Sequence, residues 1–351
     1  MKNNISILSL AAEKITYIFN KSDKFIKWGN DNIFPQRLIK WYDSVPEHSA
    51  SINFIENLIT KNGINSDVID IWMLKKIVLD YILFGGFSMK INKLRNGTYT
   101  YEYVDMATIR LSTDKTMAGI VEVINPNNLY DESEIIYGDC WNKSRLKMSW
   151  YPLVDDVNNV KNESIFIFKN NKSRMTYPTP SYLSALNNID TASAIADYHN
   201  SNARKGFTPS TIINFNNGNV DEDEKRLIEK SIYEKFCGPD ANKFILSFQD
   251  NADNAVTISK LDNDALDQKF ETLQKFVQNE IIIAHQITSS QLIGVKQENT
   301  GFSKQEYEES LAVFEDTVIK SFRNELEHSF TKLFGNEINF IKDNNINNIV
   351  E

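Results

Sequence analysis

Four histidines, two cysteines and two short runs of acids are the residues of this 351-residue chain best suited to chemistry, and their spacing argues against most of it. A catalytic imidazole needs a nucleophile or an orienting acid within hydrogen-bond reach, yet His48, His199, His285 and His328 fall in different predicted elements. His285 lies on an amphipathic stretch, where a lone histidine is ordinarily structural. Asp221-Glu222-Asp223-Glu224 has the density of a metal cluster, but acids in the first turn of a helix are what the macrodipole favours. Asp262-Asn263-Asp264 lacks the glycine and the spaced terminal glutamate of a calcium loop and reads as a helix cap. Cys140 and Cys237 stand far apart without a CxxC partner, so neither a disulfide framework nor a zinc site is indicated, and a reducing cytoplasm fits. The sequence contains no GxxxxGK, GxGxxG, HExxH or GxSxG. It predicts no catalytic residue, no metal and no cofactor.

One polar group has a different character. Lys296, Gln297, Glu298 and Asn299 lie between Gly294 and Gly301, in a predicted loop over 287–302 that joins two long helices. Such side chains can touch a phosphate backbone without reading bases, and a solvated surface loop has the same composition.

The elements around these residues follow from periodicity. Ser51–Leu58 and Asp70–Phe84 carry apolar residues at helical spacing, while 87–91, 98–104, 120–124, 135–137 and 165–168 read as strands of a small antiparallel sheet. Thr179 is placed to cap a helix with Pro180 at its first position, running to Arg204-Lys205 and Gly206, about 39 Å long. Ala192 and Ala196 belong to a thin, alanine-rich stretch of it. Thinness permits close approach of a neighbouring helix; plain helix propensity explains the alanines equally well. A small module follows, with strands near 210–215, 244–248 and 256–261 and a helix over 221–236.

Leu266, Phe270, Leu273, Val277, Ile281 and Ala284 then trace one face of a helix over 264–286. Ser303 and Glu306 form a capping box ahead of Tyr307, Leu311, Phe314, Val318, Phe322, Leu326 and Phe330, a helix of about 30 residues ended by Gly335. The segment 338–341 reads as a last strand.

Composition sets the class. At 41% hydrophobic and 24% charged residues the chain can bury substantial cores, and its net charge of -9 argues against a protein that grips nucleic acid through clustered cations. The apolar run Ile5–Ala12 is too short for a signal peptide and meets Glu13 and Lys14 directly. No apolar run reaches the roughly 20 residues needed to span a bilayer.

Several short motifs resemble one family. Trp28-Gly29-Asn30-Asp31-Asn32 with Phe34-Pro35, Asp80-Tyr81 with Leu83-Phe84-Gly85-Gly86-Phe87, and Tyr177-Pro178-Thr179-Pro180-Ser181-Tyr182-Leu183 resemble the portal proteins of tailed bacteriophages. So do Gly206-Phe207-Thr208-Pro209-Ser210 and Phe276–Gly294. Pro178 replaces a usual glycine, Lys205 stands where asparagine is common, and Thr288 and Ser289 stand where a proline is common. The resemblance implies an α+β, portal-like chain. Its parts would be an N-terminal wing over 1–178, a stem helix over 179–206, a clip over 207–262, a second stem helix over 263–286, a tunnel loop over 287–302, a wing helix over 303–334 and a short C-terminal tail over 335–351, with the crown short or absent.

It further implies a homo-oligomeric ring, a 12-mer, at one capsid vertex of the virion, assembled in the host cytoplasm. Partners would be the large terminase, a head-tail adaptor and the major capsid or scaffold protein, with double-stranded DNA passing through without sequence specificity and no membrane involved. Twelve copies at -9 each give a ring near -108, a field that would help DNA slide. In these terms Lys296, Gln297, Glu298 and Asn299 face the DNA, Ala192 and Ala196 pack stem against stem, and Lys225, Arg226, Lys230 and Lys235 offer the clip's partner surface. Another head-tail adaptor or capsid protein would share the lack of catalytic motifs, but suits the paired long helices less well. A phage nuclease or hydrolase would need an acid or histidine cluster.

Overall fold

The computed structural model describes residues 25–29, 31–123, 146–173, 175–205, 211–215, 244–248, 263–295 and 303–341. They fall into two compact units, one formed by Met1–Asp190 with Gln278–Glu351 and the other by Thr191–Val277.

Three helices open the first unit: α1 (Phe34–Ser44), α2 (Pro46–Thr60) and α3 (Ile71–Phe84). Helix α1 buries Phe34, Leu38 and Trp41, spaced four and three apart as one helical face requires. Helix α3 begins where the Asp70 carboxylate accepts the Met73 N–H at 2.7 Å. It ends at Gly85 in the left-handed conformation (φ 83°), whose N–H donates to the Tyr81 carbonyl.

The sheet comprises β1 (Gly86–Lys93), β2 (Tyr99–Val104), β3 (Ile109–Leu111), β4 (Met117–Val123), β5 (Leu146–Val154) and β6 (Glu163–Lys169), in the order β2-β1-β6-β5-β4-β3. It is not purely antiparallel as expected. Strand β5 runs parallel to β6, paired at Leu153↔Ile165 and Val154↔Phe166, while every other pairing is antiparallel. The expected strand at 135–137 lies outside the described residues, and β3 and β5 were not foreseen.

Helices α4 (Leu186–Lys205) and α5 (Asn263–Ala284) each run through both units. After α5, a 3-10 turn at Ser290–Ile293 leads to α6 (Lys304–Phe314), a π turn at Glu315–Ile319 and α7 (Lys320–Phe334). The capping expectation holds at Ser303, whose hydroxyl accepts the Glu306 N–H, and Gly335 closes α7 at φ 71°. The single long helix expected over 303–334 is one continuous stretch with a π turn inside it.

Helix α7 returns to the N-terminal elements and covers one face of the sheet. Phe330 lies 6.0 Å from Phe87, Phe334 meets Tyr101 edge-on at 4.7 Å, and Phe322 meets Tyr81 edge-on at 5.6 Å. Aromatic contacts of this kind add about 0.5–1.5 kcal/mol each beyond the area they bury. Arg323 of α7 donates to the carbonyls of Leu58 (2.5 Å) and Ile59 (3.3 Å), satisfying orphan acceptors at the end of α2. The expected last strand is a single bridge, Phe340 to Ile64. Its neighbours Asn339 and Ile341 bond to Asn65 and Gly63, and the Phe340 N–H is held by Glu327 at 2.8 Å.

In the second unit, β7 (Thr211–Phe215) pairs in parallel with β8 (Phe244–Phe248), register Thr211↔Phe244 to Phe215↔Phe248. Parallel neighbours require a crossover connection rather than a hairpin. The helix expected over 221–236 and the strand over 256–261 lie outside the described residues. Tyr198 of α4 stacks on Phe270 of α5 at 4.9 Å.

Candidate functional site

The motifs that carry the resemblance form a buried structural cluster. Arg110, on three-residue β3, is completely buried, and its guanidinium is gripped by the loop that begins at Trp28. Nε donates to Asn32 Oδ1 at 2.6 Å and Nη2 to the Asn32 carbonyl at 2.8 Å, while Nη1 donates to the carbonyls of Ala107 and Ile109. Asn32 Oδ1 also accepts the Trp28 N–H at 3.0 Å, so one amide closes the loop and holds the cation. Gly29 (φ 86°) and Asn32 (φ 69°) supply the left-handed backbone this closure needs. Trp28 stacks flat on Tyr177, centroids 4.5 Å apart, and the Tyr177 hydroxyl donates to the Ile26 carbonyl while accepting the Leu111 N–H. Burial pushes the Tyr177 phenol up to about 12.

Asp80-Tyr81 has a similar role. The buried Asp80 carboxylate accepts the Tyr103 hydroxyl (2.9 Å) and the Met106 N–H (3.1 Å), tying α3 to the end of β2. Burial, aided by Asp105, pushes its pKa well above the usual carboxylate range. Tyr81 donates to Glu325 of α7 at 2.8 Å.

The third motif corrects an expectation. Thr179 does not cap a helix at Pro180. Its N–H goes to Ser173 Oγ and its carbonyl to Asn170 Nδ2. The Gly85 backbone lies so close that a Cβ there would sit 2.0 Å from the Thr179 oxygen. Tyr182, fully buried and bonded to the Leu83 carbonyl at 2.7 Å, anchors the chain in a turn, and a 3-10 turn at Leu183–Ala185 precedes α4.

Of the proposed stem-packing residues, Ala192 is half-buried and Ala196 is exposed. On α5, Leu273 and Phe276 project apolar surface, Phe276 at 55% exposure. Lys225, Arg226, Lys230 and Lys235, like Lys296, Gln297, Glu298 and Asn299, lie outside the described residues. The first half of the expected tunnel loop is not a projecting polar loop. Ile287, Gln291 and Leu292 are buried, Ser289 caps the 3-10 turn, and Gly294 closes it at φ 81°. Ile287 and Leu292 bury their side chains although four polar residues stand between them.

Among the described residues no group of three histidines, cysteines or carboxylates is placed to hold a metal ion, and no helix is long and apolar enough to cross a membrane. One pair of titratable groups that the sequence kept apart does meet. His48 of α2 and His285, just past α5, lie 237 positions apart, yet His48 Nδ1 is 2.9 Å from His285 Nε2, with both rings buried. Tyr182 packs against both, at 4.6 and 4.9 Å. Only their helical positions, each facing inward on an apolar stripe, could have signalled this.

No protein-family model and no curated protein sequence matches the chain. Solved structures do. A chain in the virion of a native gene transfer agent particle aligns with a TM-score of 0.51 at 11% identity, covering 89% of this chain and 85% of that one. A chain from the neck of an empty gene transfer agent particle computed with C6 symmetry gives 0.52 at 11%, with the same coverages. One from the neck of the native particle computed with C12 symmetry gives 0.51 at 11%, covering 97% and 89%. At this identity the likeness establishes a shared fold: a mixed α+β chain with a six-stranded sheet, like chains of those particle necks.

Proposed function

We propose that this chain is a portal-type head-tail connector subunit, forming a ring around a DNA channel at one vertex of a phage-like particle. The observation that carries the reading is the fold likeness to gene transfer agent neck chains, which extends over 89–97% of this chain rather than a single module. The C12 symmetry of one of those necks motivates a ring of twelve. The element order agrees with the portal resemblance: an α+β module, two long helices bracketing a small module, and a long helix returning to the first module. Exposed Leu273 and Phe276, three residues apart on one helix face, give the chain apolar surface to bury against a second copy.

In this reading α4 and α5 belong to the stem, and 207–262 is the clip that meets the large terminase and later the adaptor. The segment 296–299 faces the DNA, and the major capsid or scaffold protein contacts the wing. The ring's work is positional: it admits DNA during packaging, joins head to tail and releases DNA on ejection. Negative-stain electron microscopy and mass photometry of the purified full chain test it. Rings with a central hole and a mass of about twelve chains are expected; monomers or closed dimers at every concentration would overturn it.

A further inference from the structure

We propose that the His48–His285 pair is an acid-sensitive latch, holding the C-terminal end of α5 and the 3-10 turn after it onto α2 while both rings are neutral. The geometry excludes protonation of both rings. A neutral imidazole carries one N–H, so two neutral rings whose nitrogens lie 2.9 Å apart form one hydrogen bond, one ring donating and the other accepting. A first proton preserves that bond but places a full charge between two buried rings. A second sets N–H against N–H and breaks it.

Among the described residues neither ring is hydrogen-bonded to a carboxylate. The remaining ring nitrogens, His48 Nε2 and His285 Nδ1, are buried and meet no hydrogen-bond partner among the described residues. On α2, the neighbouring Glu47 is engaged with Gln278 of α5 at 3.3 Å. From the turn before α4, the Tyr182 hydroxyl is committed to the Leu83 carbonyl at the end of α3. The 3-10 turn offers the neutral amide of Gln291 and the hydroxyl of Ser290. Burial is the main cause that lowers both rings, and the neighbouring His285 lowers His48 further.

The direction follows from linkage. Burial holds His285 at about 3 and His48 well below its usual 6.5, so the unfolded or opened chain binds protons more readily than the closed one. The stabilisation is complete above pH 6.5 and is lost as the pH falls from there toward 3. What it releases is specific. His285 continues α5 through its N–H to the Ile281 carbonyl, Gln286 turns the chain at φ 59°, and Ile287 bonds back to Ile282. The latch thus controls the one junction that carries α5 into the 3-10 turn and on toward α6, and it does so whatever the chain's assembly.

Hydrogen exchange of the full-length chain at pH 7.5 and 4.5, corrected for intrinsic rates, is the test. At pH 4.5, two units below 6.5, one such histidine favours opening by about 100-fold. The amides of Ile282, Ile287 and Leu292 are expected to exchange faster by that order while those of Met89 and Phe166 keep their protection. The double variant His48→Phe/His285→Phe keeps the aromatic packing and is expected to lose the acceleration. Equal acceleration in the double variant, or none in the wild type, overturns the proposal. Nitrogen-15 spectra of the wild-type histidines give a second readout independent of that variant's folding. Both rings neutral at pH 5 and titrating together below it are expected; separate titrations near 6.5 overturn it.

Discussion

Asn32 Oδ1 accepts two hydrogen bonds at once, from Arg110 Nε at 2.6 Å and from the Trp28 N–H at 3.0 Å, in a site where Arg110 has no exposure to solvent. A single amide oxygen therefore both closes a loop and holds a buried cation. Removing it leaves an orphaned N–H and a guanidinium short of one acceptor. Asn32→Ala is expected to destabilise the chain by about 3 kcal/mol, from the cost of unpairing a buried charged donor together with left-handed backbone that alanine resists. Asn32→Gly, which tolerates the backbone, is expected to recover about 1 kcal/mol of that. Urea unfolding of both variants measures the two parts, and a wild-type midpoint for Asn32→Ala would exclude the role given to the amide.

Gly85 and Gly63 separate close approach from backbone conformation. Both have positive φ, 83° and 70°, but a Cβ on Gly85 would strike the Thr179 carbonyl, whereas one on Gly63 meets nothing within 4 Å. Gly63→Ala is expected to cost about 1 kcal/mol. Gly85→Ala is expected to cost more than about 3 kcal/mol, because the α3–β1 turn and the Thr179 segment must move apart. Thermal melts in parallel decide it; similar losses for the two would show that contact with Thr179 is unimportant.

Ala196 is exposed in the single chain, so Ala196→Trp is expected to leave the fold of one copy unchanged while obstructing close helix packing between copies. Half-buried Ala192→Trp is the harsher variant. Overpacking a tight interface costs about 1–3 kcal/mol per site, repeated around a ring. Circular dichroism should match wild type for Ala196→Trp, and mass photometry should report subunits in place of rings. Rings of normal mass from both variants would place the packing face elsewhere.

Lys296→Glu addresses the channel reading directly. The packed half of the loop ends at Gly294, so a substitution at 296 is expected to spare both folding and ring formation. The change of sign weakens phosphate contact. The expected outcome is reduced DNA packaging, or loss of packaged DNA, measured as nuclease-protected DNA per particle. Unchanged protection would remove Lys296 from the set of DNA-facing residues.

Local signals carried much of the fold. Helix α3 was legible because its period, the Asp70 cap and the Gly85 stop all coincide, and α6 was legible from Ser303 and Glu306. Strand β5 was missed because Pro152 within it argues against a strand, even though Lys147-Met148-Ser149-Trp150 alternates polar and apolar, and its parallel register with β6 is a tertiary choice that no local pattern specifies. The helix expected from Pro180 failed for a related reason: a good cap and a good first residue lost to the bonding of Thr179 to Ser173 and Asn170 and to the anchoring of Tyr182 by Leu83, 99 residues away. The sites divide the same way. Ala192 and Ala196 stand out in sequence by size, while Arg110 in its cage and the His48–His285 contact exist only because distant segments fold onto one another.

The aromatic ladder of α7 also fixes an order in time. Phe330 and Phe334 cover Phe87 and Tyr101, but they follow them in the chain by more than 230 residues. At roughly 5–20 residues per second, a ribosome delivers β1 about 12–50 s before the helix that shields it. The sheet of the first unit is therefore born with its aromatic face open to water and to other nascent chains. Its completion waits for the second unit, encoded in between, to be made first, so the closing step joins a later segment to a sheet already made.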